Sequence, residues 1–209
     1  MNLYCQDESR FGLFTRAGRG LTARGVKPVC PFQQVFQYTY LFGAYSPISG
    51  DHFHLELPNC SAATFQVFLD HFAQERPEEL KVMLLDNGAF HKARRLRWPP
   101  NIRPLFIPPY SPELNPAEKI WWRFKRAFSN KTFSTLDLLS EFIAVQVRAL
   151  TQTQVRSICD FDYFSTARPL WTISLFQMVL LIRHRRSERS ARSVDRVKYE
   201  AQRLTEFVG

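Results

Sequence analysis

Three acidic residues, Asp7, Asp86 and Glu118, lie where their carboxylates could act together. Asp7 falls inside a stretch with strand composition, Asp86 ends the apolar run KVMLLDN, and Glu118 falls in the first turn of a predicted helix. In open α/β sheets, sites form in the crevice at the carboxyl ends of the strands. Clustered carboxylates raise one another's pKa, and Mg²⁺ or Mn²⁺ removes that penalty. The chemistry such a cluster could perform is phosphoryl transfer, with two ions about 3.5–4 Å apart.

Each of these residues also has a purely structural interpretation. Asp86 precedes the turn-forming pair Asn87 and Gly88. Glu118 lies three residues after Asn115, so it could complete a capping box with Asn115 as the N-cap and Pro116 as the first helical residue. Glu113 is a rival for the third acidic position, although it lies in the connector before the helix. The sequence pattern leaves these alternatives open.

The connector before Glu118 is unusually stiff. The stretch PPYSPELNPAEKIW, residues 108–121, carries four prolines within nine positions. Proline fixes φ and pushes the preceding residue toward extended conformations, so residues 107–114 are predicted to be an extended, rigid connector. Such a connector could hold a carboxylate at one fixed place.

Two histidines, His52 and His54, share one face of a predicted strand. They could bind a metal, but no third ligand lies near them in the sequence, and strand histidines more often have no metal role. His91 and Asn87, close to Asp86, either order water or phosphate or are structural.

The hydrophobic pattern predicts an α/β fold with a central mixed sheet of about five strands and helices on both faces. A short basic helical segment is expected at 91–97. The predicted strands cover 3–14, 34–46, 51–58, 81–87 and 101–108, and the predicted helices cover 61–75, 115–131 and 135–151.

The chain is basic, with a net charge of +9, which suits a polyanionic partner. The glycine-containing loop TRAGRGLTARGVKP is interpreted either as an ordinary exposed loop or as an arm that contacts phosphates. The run HKARRLR begins five residues after Asp86 and could hold a nucleic-acid backbone. The candidate DNA-binding residues are Arg16, Arg19, Arg24, Lys92, Arg94, Arg95, Arg97 and Lys125.

Three sequence motifs together resemble the DDE transposases, in particular the bacterial insertion-sequence group related to the mariner elements. DESRFGL at 7–13 is similar to the motif around the first aspartate of that family. LDNGAFH at 85–91 and PPYSPELNPAEKIW at 108–121 are similar to its second and third acidic motifs. The resemblance covers residues 3–166.

The resemblance implies a ribonuclease H-like fold and an enzyme that binds two Mg²⁺ or Mn²⁺ ions and cuts and joins DNA at element ends. By this match Asp7, Asp86 and Glu118 are the catalytic, metal-binding triad. The implied partners are DNA, at the element ends and at the target, and a second copy of the chain, as a homodimer on DNA. The alternative is an inactive transposase remnant that only binds nucleic acid or a partner protein.

The sequence departs from that family at both ends. Only six residues precede Asp7, so the helix-turn-helix part is expected to be absent, and a separately encoded N-terminal part could supply it. The catalytic domain is expected to span 1–167. Residues 168–209 form a basic segment, with nine Lys and Arg against four Asp and Glu, and are interpreted as a helical or flexible tail.

The sequence also bears on where the protein works. The four cysteines form no C-x-x-C pair and are interpreted as buried, reduced thiols. No secretory signal is expected at MNLYCQDE, and the apolar stretch 170–182 is too short to span a membrane. We therefore expect a cytoplasmic, nucleoid-associated bacterial protein without a membrane partner.

Overall fold

A five-stranded mixed sheet forms the centre of the molecule. The structure is a computed structural model that describes residues 1–109 and 111–161. The strands are β1 (Asn2–Gly12), β2 (Tyr38–Tyr45), β3 (His52–Leu57), β4 (Lys81–Leu85) and β5 (Ile102–Phe106), arranged in the order β3-β2-β1-β4-β5. β2 is antiparallel to its two neighbours, β1 and β3, while β4 is parallel to β1 and β5 is parallel to β4.

Helices cover both faces of this sheet. They are α1 (Ala62–Gln74), α2 (Ala117–Phe128), α3 (Leu136–Arg148) and α4 (Gln152–Cys159), with a short 3₁₀ turn at Pro112–Leu114. One apolar cluster packs α1 against Tyr4, Phe42 and Met83 of the sheet. The other packs α2, α3 and α4 against Phe11, Leu41 and Tyr45. The predicted mixed sheet with helices on both faces is therefore confirmed.

The central strand β1 contributes to both apolar clusters because its side chains alternate. Tyr4 belongs to the α1 side, and Phe11 belongs to the side of α2. By the same alternation, Asp7 faces α2, and the neighbouring Glu8 faces the α1 side. The adjacent acidic residues Asp7 and Glu8 therefore lie on opposite faces of β1.

Four local predictions are wrong. Residues 91–97 form turns and no helix, since His91, Lys92 and Ala93 donate their backbone N–H groups only three residues back. The helix predicted over 135–151 ends at Arg148, and α4 follows as a separate helix after Thr151. The connector is not extended throughout, because Pro112–Leu114 turns. Cys5 and Cys159 are buried as predicted, but Cys30 is exposed.

The contacts within the chain define a compact unit over Met1–Cys159. The boundary predicted at residue 167 and the predicted basic tail at 168–209 lie outside the described residues. Among the helices of the described ranges, none is long and apolar enough to cross a membrane.

Candidate active site

Asp7 is a partly buried carboxylate whose hydrogen-bond donors are both neutral, the Trp121 indole and the backbone N–H of Glu8. Its Oδ2 atom accepts a hydrogen bond from the indole Nε1 of Trp121 at 2.8 Å. Burial, reinforced by the charges of Glu8 and Glu118, raises the pKa of Asp7 well above its ordinary value. The ion pairs found among the described residues do not include Asp7. Asp7 therefore lacks the cation that would stabilise its charged form.

Glu118 lies near Asp7 because the start of α2 is fastened to β1. The side chain of Asn115 is buried, and its Nδ2 donates to the backbone carbonyl of Gln6, beside Asp7, at 2.9 Å. Its Oδ1 accepts from the backbone N–H of Ala117 at 3.2 Å. One side chain thus joins the end of the connector, the first turn of α2 and the strand that carries Asp7.

The capping predictions hold only in part. Pro116 is the residue before the helix, and the helix begins at Ala117, one position later than predicted. Asn115 accepts from the first helical N–H as a capping side chain does. Glu118 is exposed, and the hydrogen bonds found in the described ranges do not include its carboxylate, so it completes no capping box. Its carboxylate remains available to a ligand.

Asp86 is held by His91. The Oδ1 atom of Asp86 accepts from His91 Nδ1 at 2.7 Å and from the backbone N–H of Gly88 at 2.8 Å. The other ring nitrogen, Nε2, lies 3.0 Å from Oε1 of Glu8. Both ring nitrogens therefore face carboxylate oxygens.

This arrangement stabilises the charged form of His91. Burial lowers its pKa, but the hydrogen bonds to Asp86 and Glu8 outweigh burial and raise it to about 9. The hydrogen bond from His91 in turn lowers the pKa of Asp86. The imidazolium of His91 is therefore the counter-ion of two carboxylates, those of Asp86 and Glu8.

The register of the sheet brings the two aspartates to neighbouring strands. Cys5 of β1 pairs with Leu84 of β4, and Asp7 and Asp86 each follow two residues later. Cys60 lies close to these carboxylates. Its pKa is raised to about 12 by burial and by the charges of Glu8, Asp7 and Asp86. The three predicted acidic residues therefore lie in one electrostatic neighbourhood.

The donor chemistry of this neighbourhood fits Mg²⁺ or Mn²⁺, which prefer carboxylate oxygens. The supporting observation is the partly buried carboxylate of Asp7, which has acidic neighbours and takes part in none of the ion pairs found among the described residues. No three His, Cys, Asp or Glu side chains of the described ranges lie close enough to hold an ion as they stand. One reason is the contact between Asp86 and His91, which occupies Oδ1 of Asp86.

The predicted basic residues fall into two groups. Lys125 lies near the acidic residues. Its pKa is lowered, because burial and the charge of Arg16 outweigh the opposite effects of Glu118 and Asp7. Arg16 and Lys125 therefore flank the acidic site, and Arg19 and Arg24 lie further along the same exposed loop. The second group follows Asp86. Lys92 contacts Asn87 and the ring of Phe106, while the remaining three side chains are exposed: Arg94, Arg95 and Arg97.

The histidine pair and Glu113 do not join the site. His52 Nε2 donates to the carbonyl of Leu150 at 2.9 Å, and His54 Nε2 lies 3.1 Å from the hydroxyl of Tyr45. These contacts are structural, as expected without a third ligand. Glu113 lies in the 3₁₀ turn and is exposed.

Sequence reasoning missed three residues that shape the site: Glu8, Asn115 as an anchor to β1, and Trp121. Trp121 lies three residues after Glu118, and helical spacing therefore places it on nearly the same side of α2. That spacing could have shown that an indole lies beside the acidic residues. The bond between Asn115 and Gln6 spans 109 positions and leaves no local signal.

Comparison with known proteins gives a family match. A family model described as DDE superfamily endonuclease matches residues 2–140. An uncharacterized protein of Sinorhizobium fredii is 36% identical over 103 residues, which are 48% of this chain and 76% of that protein.

Solved structures with a similar fold include two transposase complexes. The chain superimposes on the Mos1 strand transfer complex with a TM-score of 0.59 and 17% identity, covering 76% of this chain and 50% of that chain. The Mos1 mariner paired end complex with Mn gives a TM-score of 0.58 and 17% identity, covering 76% and 51%. The chain spans about half the length of these proteins. This likeness confirms the predicted ribonuclease H-like fold.

Proposed function

Because the chain belongs to the DDE superfamily endonucleases, we propose that it is the catalytic domain of a DNA transposase that cuts DNA at insertion-sequence ends and transfers the strand to a target. The observation that supports the proposal is the partly buried carboxylate of Asp7, whose pKa is raised, with Glu118 near it and Asp86 just after the neighbouring strand. Such an arrangement is costly for the fold alone and is expected where a cation binds.

The proposed reaction has two steps. In the first, water attacks a DNA phosphorus atom, and the bond from phosphorus to the 3′-oxygen breaks, leaving a 3′-hydroxyl and a 5′-phosphate. In the second, the freed 3′-hydroxyl attacks a phosphorus atom of target DNA, the bond from that phosphorus to the target's 3′-oxygen breaks, and the target strand leaves with a 3′-hydroxyl. Two Mg²⁺ or Mn²⁺ ions, when bound, would activate the nucleophile and stabilise the leaving oxygen.

In this proposal, Asp7, Asp86 and Glu118 are the metal ligands. Trp121 donates to Oδ2 of Asp7 and so orients the carboxylate that would bind a cation. Asp86 would have to leave His91 and turn toward Asp7, and a bound cation would replace the counter-ion that His91 supplies. The relatives solved with Mn, at low identity, are consistent with this use of metal.

We propose that the basic residues hold the DNA backbone on two sides of the acidic cluster. One side is formed by the loop after β1 together with Lys125, and the other by the turns after Asp86. Contacts of this kind go to phosphates and carry little sequence information. The proposed residues are Arg16, Arg19, Arg24, Lys125, Lys92, Arg94, Arg95 and Arg97. We further propose that element ends are recognised by a separately encoded N-terminal part and that the chain acts as a homodimer on DNA.

A second candidate is a protein that binds DNA without cutting it. It is favoured by the absence, within the described ranges, of three ligands already close enough to hold an ion. It is also favoured by the bond that ties Asp86 to His91. The two candidates differ in whether the chain breaks phosphodiester bonds.

The test is metal-dependent nicking of supercoiled DNA by the full chain. Wild-type protein is expected to nick DNA with Mg²⁺ or Mn²⁺ and to be inactive with EDTA. Asp86→Asn should abolish nicking while leaving DNA affinity within about twofold, because the substitution removes one charge near phosphates and keeps the shape. Glu113→Gln, in the 3₁₀ turn, is the matched control and should cut normally. Nicking by Asp86→Asn at the wild-type rate would show that the site is assigned wrongly.

A further inference from the structure

A groove with an exposed indole lies one helical turn beyond Glu118. Glu118, Trp122 and Arg126 follow one another at intervals of four residues on α2, so their side chains share one face of the helix. Four residues correspond to about 6 Å along the axis. Trp122 is 63% exposed, although large apolar side chains on this helix are otherwise buried.

The opposite wall of this groove is the basic loop after β1. The backbone N–H of Gly18 donates to Oδ1 of Asn130 at 2.8 Å, and the N–H of Asn130 donates to the carbonyl of Arg16 at 2.9 Å. These two bonds fasten the loop to the chain just after α2. A Cβ atom at residue 18 would lie 2.7 Å from Cβ of Ser129, so this close approach requires glycine.

The groove has a volume of about 580 Å³, within the range of clefts that bind small ligands. Its lining contains two cations and no carboxylate: Gly18, Arg19, Trp122, Arg126, Ser129 and Asn130. The Arg126 guanidinium lies over the Trp122 ring, 5.4 Å from its centroid. A flat apolar surface beside two arginines suits a ligand that has both an aromatic ring and a phosphate.

We propose that this groove binds an unpaired nucleotide of the DNA substrate, with its base stacked on Trp122 and its phosphate held by Arg126 and Arg19. A paired base in duplex DNA presents only its edges, so the face of an indole can reach a base only where the nucleotide is unpaired. The distance of one helical turn would place this nucleotide next to the one whose phosphate is attacked at the proposed metal site. This inference rests on the proposed function.

The test is DNA binding by the full chain in EDTA, where no cutting occurs. The probes are a blunt duplex and the same duplex with a four-nucleotide single-stranded extension, compared at one salt concentration. The wild-type protein should bind the extended duplex at least about fivefold more tightly, as expected for one base stacked on an aromatic side chain. Trp122→Ala should remove this preference, and Trp122→Phe should retain most of it.

A matched control is available in Tyr38, another exposed ring with an arginine over it, where the Arg10 guanidinium lies 5.2 Å from the ring centroid. Tyr38→Ala should leave the preference for the extended duplex unchanged. Fluorescence of 2-aminopurine placed in the extension should be quenched by wild-type protein and not by Trp122→Ala.

The inference is overturned if Trp122→Ala weakens both DNAs equally or neither. It is also overturned if Trp122→Ala changes the oligomeric state and leaves the preference intact, because the indole would then cover a protein interface. The proposed function fails separately, through the absence of metal-dependent nicking, since the binding assay contains no metal.

Discussion

At the scale of single residues, Asp7 combines a stability cost with a proposed role in metal binding. Its partly buried carboxylate accepts a hydrogen bond from the Trp121 indole and is repelled by Glu8 and Glu118. Residues that oppose stability in this way are common at functional sites. The cost is removed either by a bound cation or by neutralising the side chain, and the two routes can be separated by experiment.

We expect Asp7→Asn to raise the thermal midpoint of the metal-free protein by a few degrees. Asparagine retains an acceptor for the Trp121 indole but carries no charge, so the burial penalty and the repulsion disappear. One kcal/mol corresponds to about 2–4 °C for a chain of this size. Thermal unfolding in EDTA and in millimolar Mn²⁺ measures the effect, and only the wild type should gain stability from Mn²⁺.

Glu118→Gln is the control for this experiment. Glu118 is exposed, so its neutralisation should change the metal-free midpoint little while still removing the response to Mn²⁺. A midpoint in EDTA that falls in Asp7→Asn would mean that the carboxylate stabilises the fold, contrary to the argument from burial.

His54 makes the stability of the protein depend on pH. Burial, followed by the charge of His52, lowers the pKa of His54 to about 3, against about 6.5 in the unfolded chain. The unfolded state therefore binds more protons between these values, and this contribution to stability is present above pH 6.5 and lost as the pH falls. At pH 5 the loss is about 2 kcal/mol.

His54→Gln should make the free energy of unfolding less dependent on pH between 7.5 and 5, by about 2 kcal/mol. Glutamine can still hydrogen-bond the Tyr45 hydroxyl but does not titrate. Urea unfolding at the two pH values measures the difference. His71→Gln, an exposed change on α1, should leave the wild-type dependence intact, and an unchanged dependence in His54→Gln would contradict the argument.

At the scale of elements, a single buried side chain, Asn115, fastens the start of α2 to β1. Asn115→Ala removes the bonds to the Gln6 carbonyl and to the Ala117 N–H. We expect a loss of about 1–3 kcal/mol of stability, because a buried carbonyl is left without its donor. Cleavage per folded molecule should fall at least tenfold, because Glu118 is no longer held against β1 and catalytic groups need placement within about 0.5 Å.

Thr135→Ala is the matched control. Thr135 caps α3 by accepting from the N–H of Leu138, so its loss should cost about 1 kcal/mol. Because α3 carries none of the proposed ligands, cleavage per folded molecule should not change. Equal loss of cleavage in both variants would mean that general stability, and not the anchor, limits the reaction.

The elements could be predicted from the sequence where the pattern of apolar residues is strong. The helix over 61–75 and the strand ending at Asp86 are close to the observed α1 and β4. The basic run at 91–97 was predicted as a helix, but three-residue turns bring His91 under Asp86 and Glu8. That arrangement is fixed by a contact between residues 83 positions apart, which no local pattern encodes.

For the candidate site, the sequence predicts which residues take part, and that assignment remains a prediction. Asp7, Asp86 and Glu118 were found from motifs and from their places at strand ends and at a helix start. The pairing of His91 with Glu8 as well as Asp86 could not be found, because Glu8 lies 83 positions away on β1. The contact between His91 and Glu8 joins distant segments of the chain, so it exists only once the sheet has formed.

At the scale of the whole molecule, the described unit contains both apolar clusters and all three proposed ligands within Met1–Cys159. We therefore expect truncation after Ala167 to leave the thermal midpoint within a few degrees of the wild type. The truncated chain should bind DNA more weakly at low salt, because nine Lys and Arg of 168–209 are lost. A drop of more than about 10 °C, which amounts to several kcal/mol, would mean that the removed residues belong to the core.

The order of the strands also determines when the protein acquires its proposed activity during synthesis. The first three strands are neighbours in sequence and can pair as soon as they leave the ribosome. The other edge of β1 stays unpaired until β4 has been made, since Asn2 pairs with Lys81 of β4. Asn115 can dock beside Gln6 only after that. Domains made from the N-terminus onward fold as their parts emerge. An unfinished chain would therefore hold Asp7 alone of the three proposed ligands on an open strand edge, so the proposed ability to cut DNA would arise only when almost the entire domain has been made.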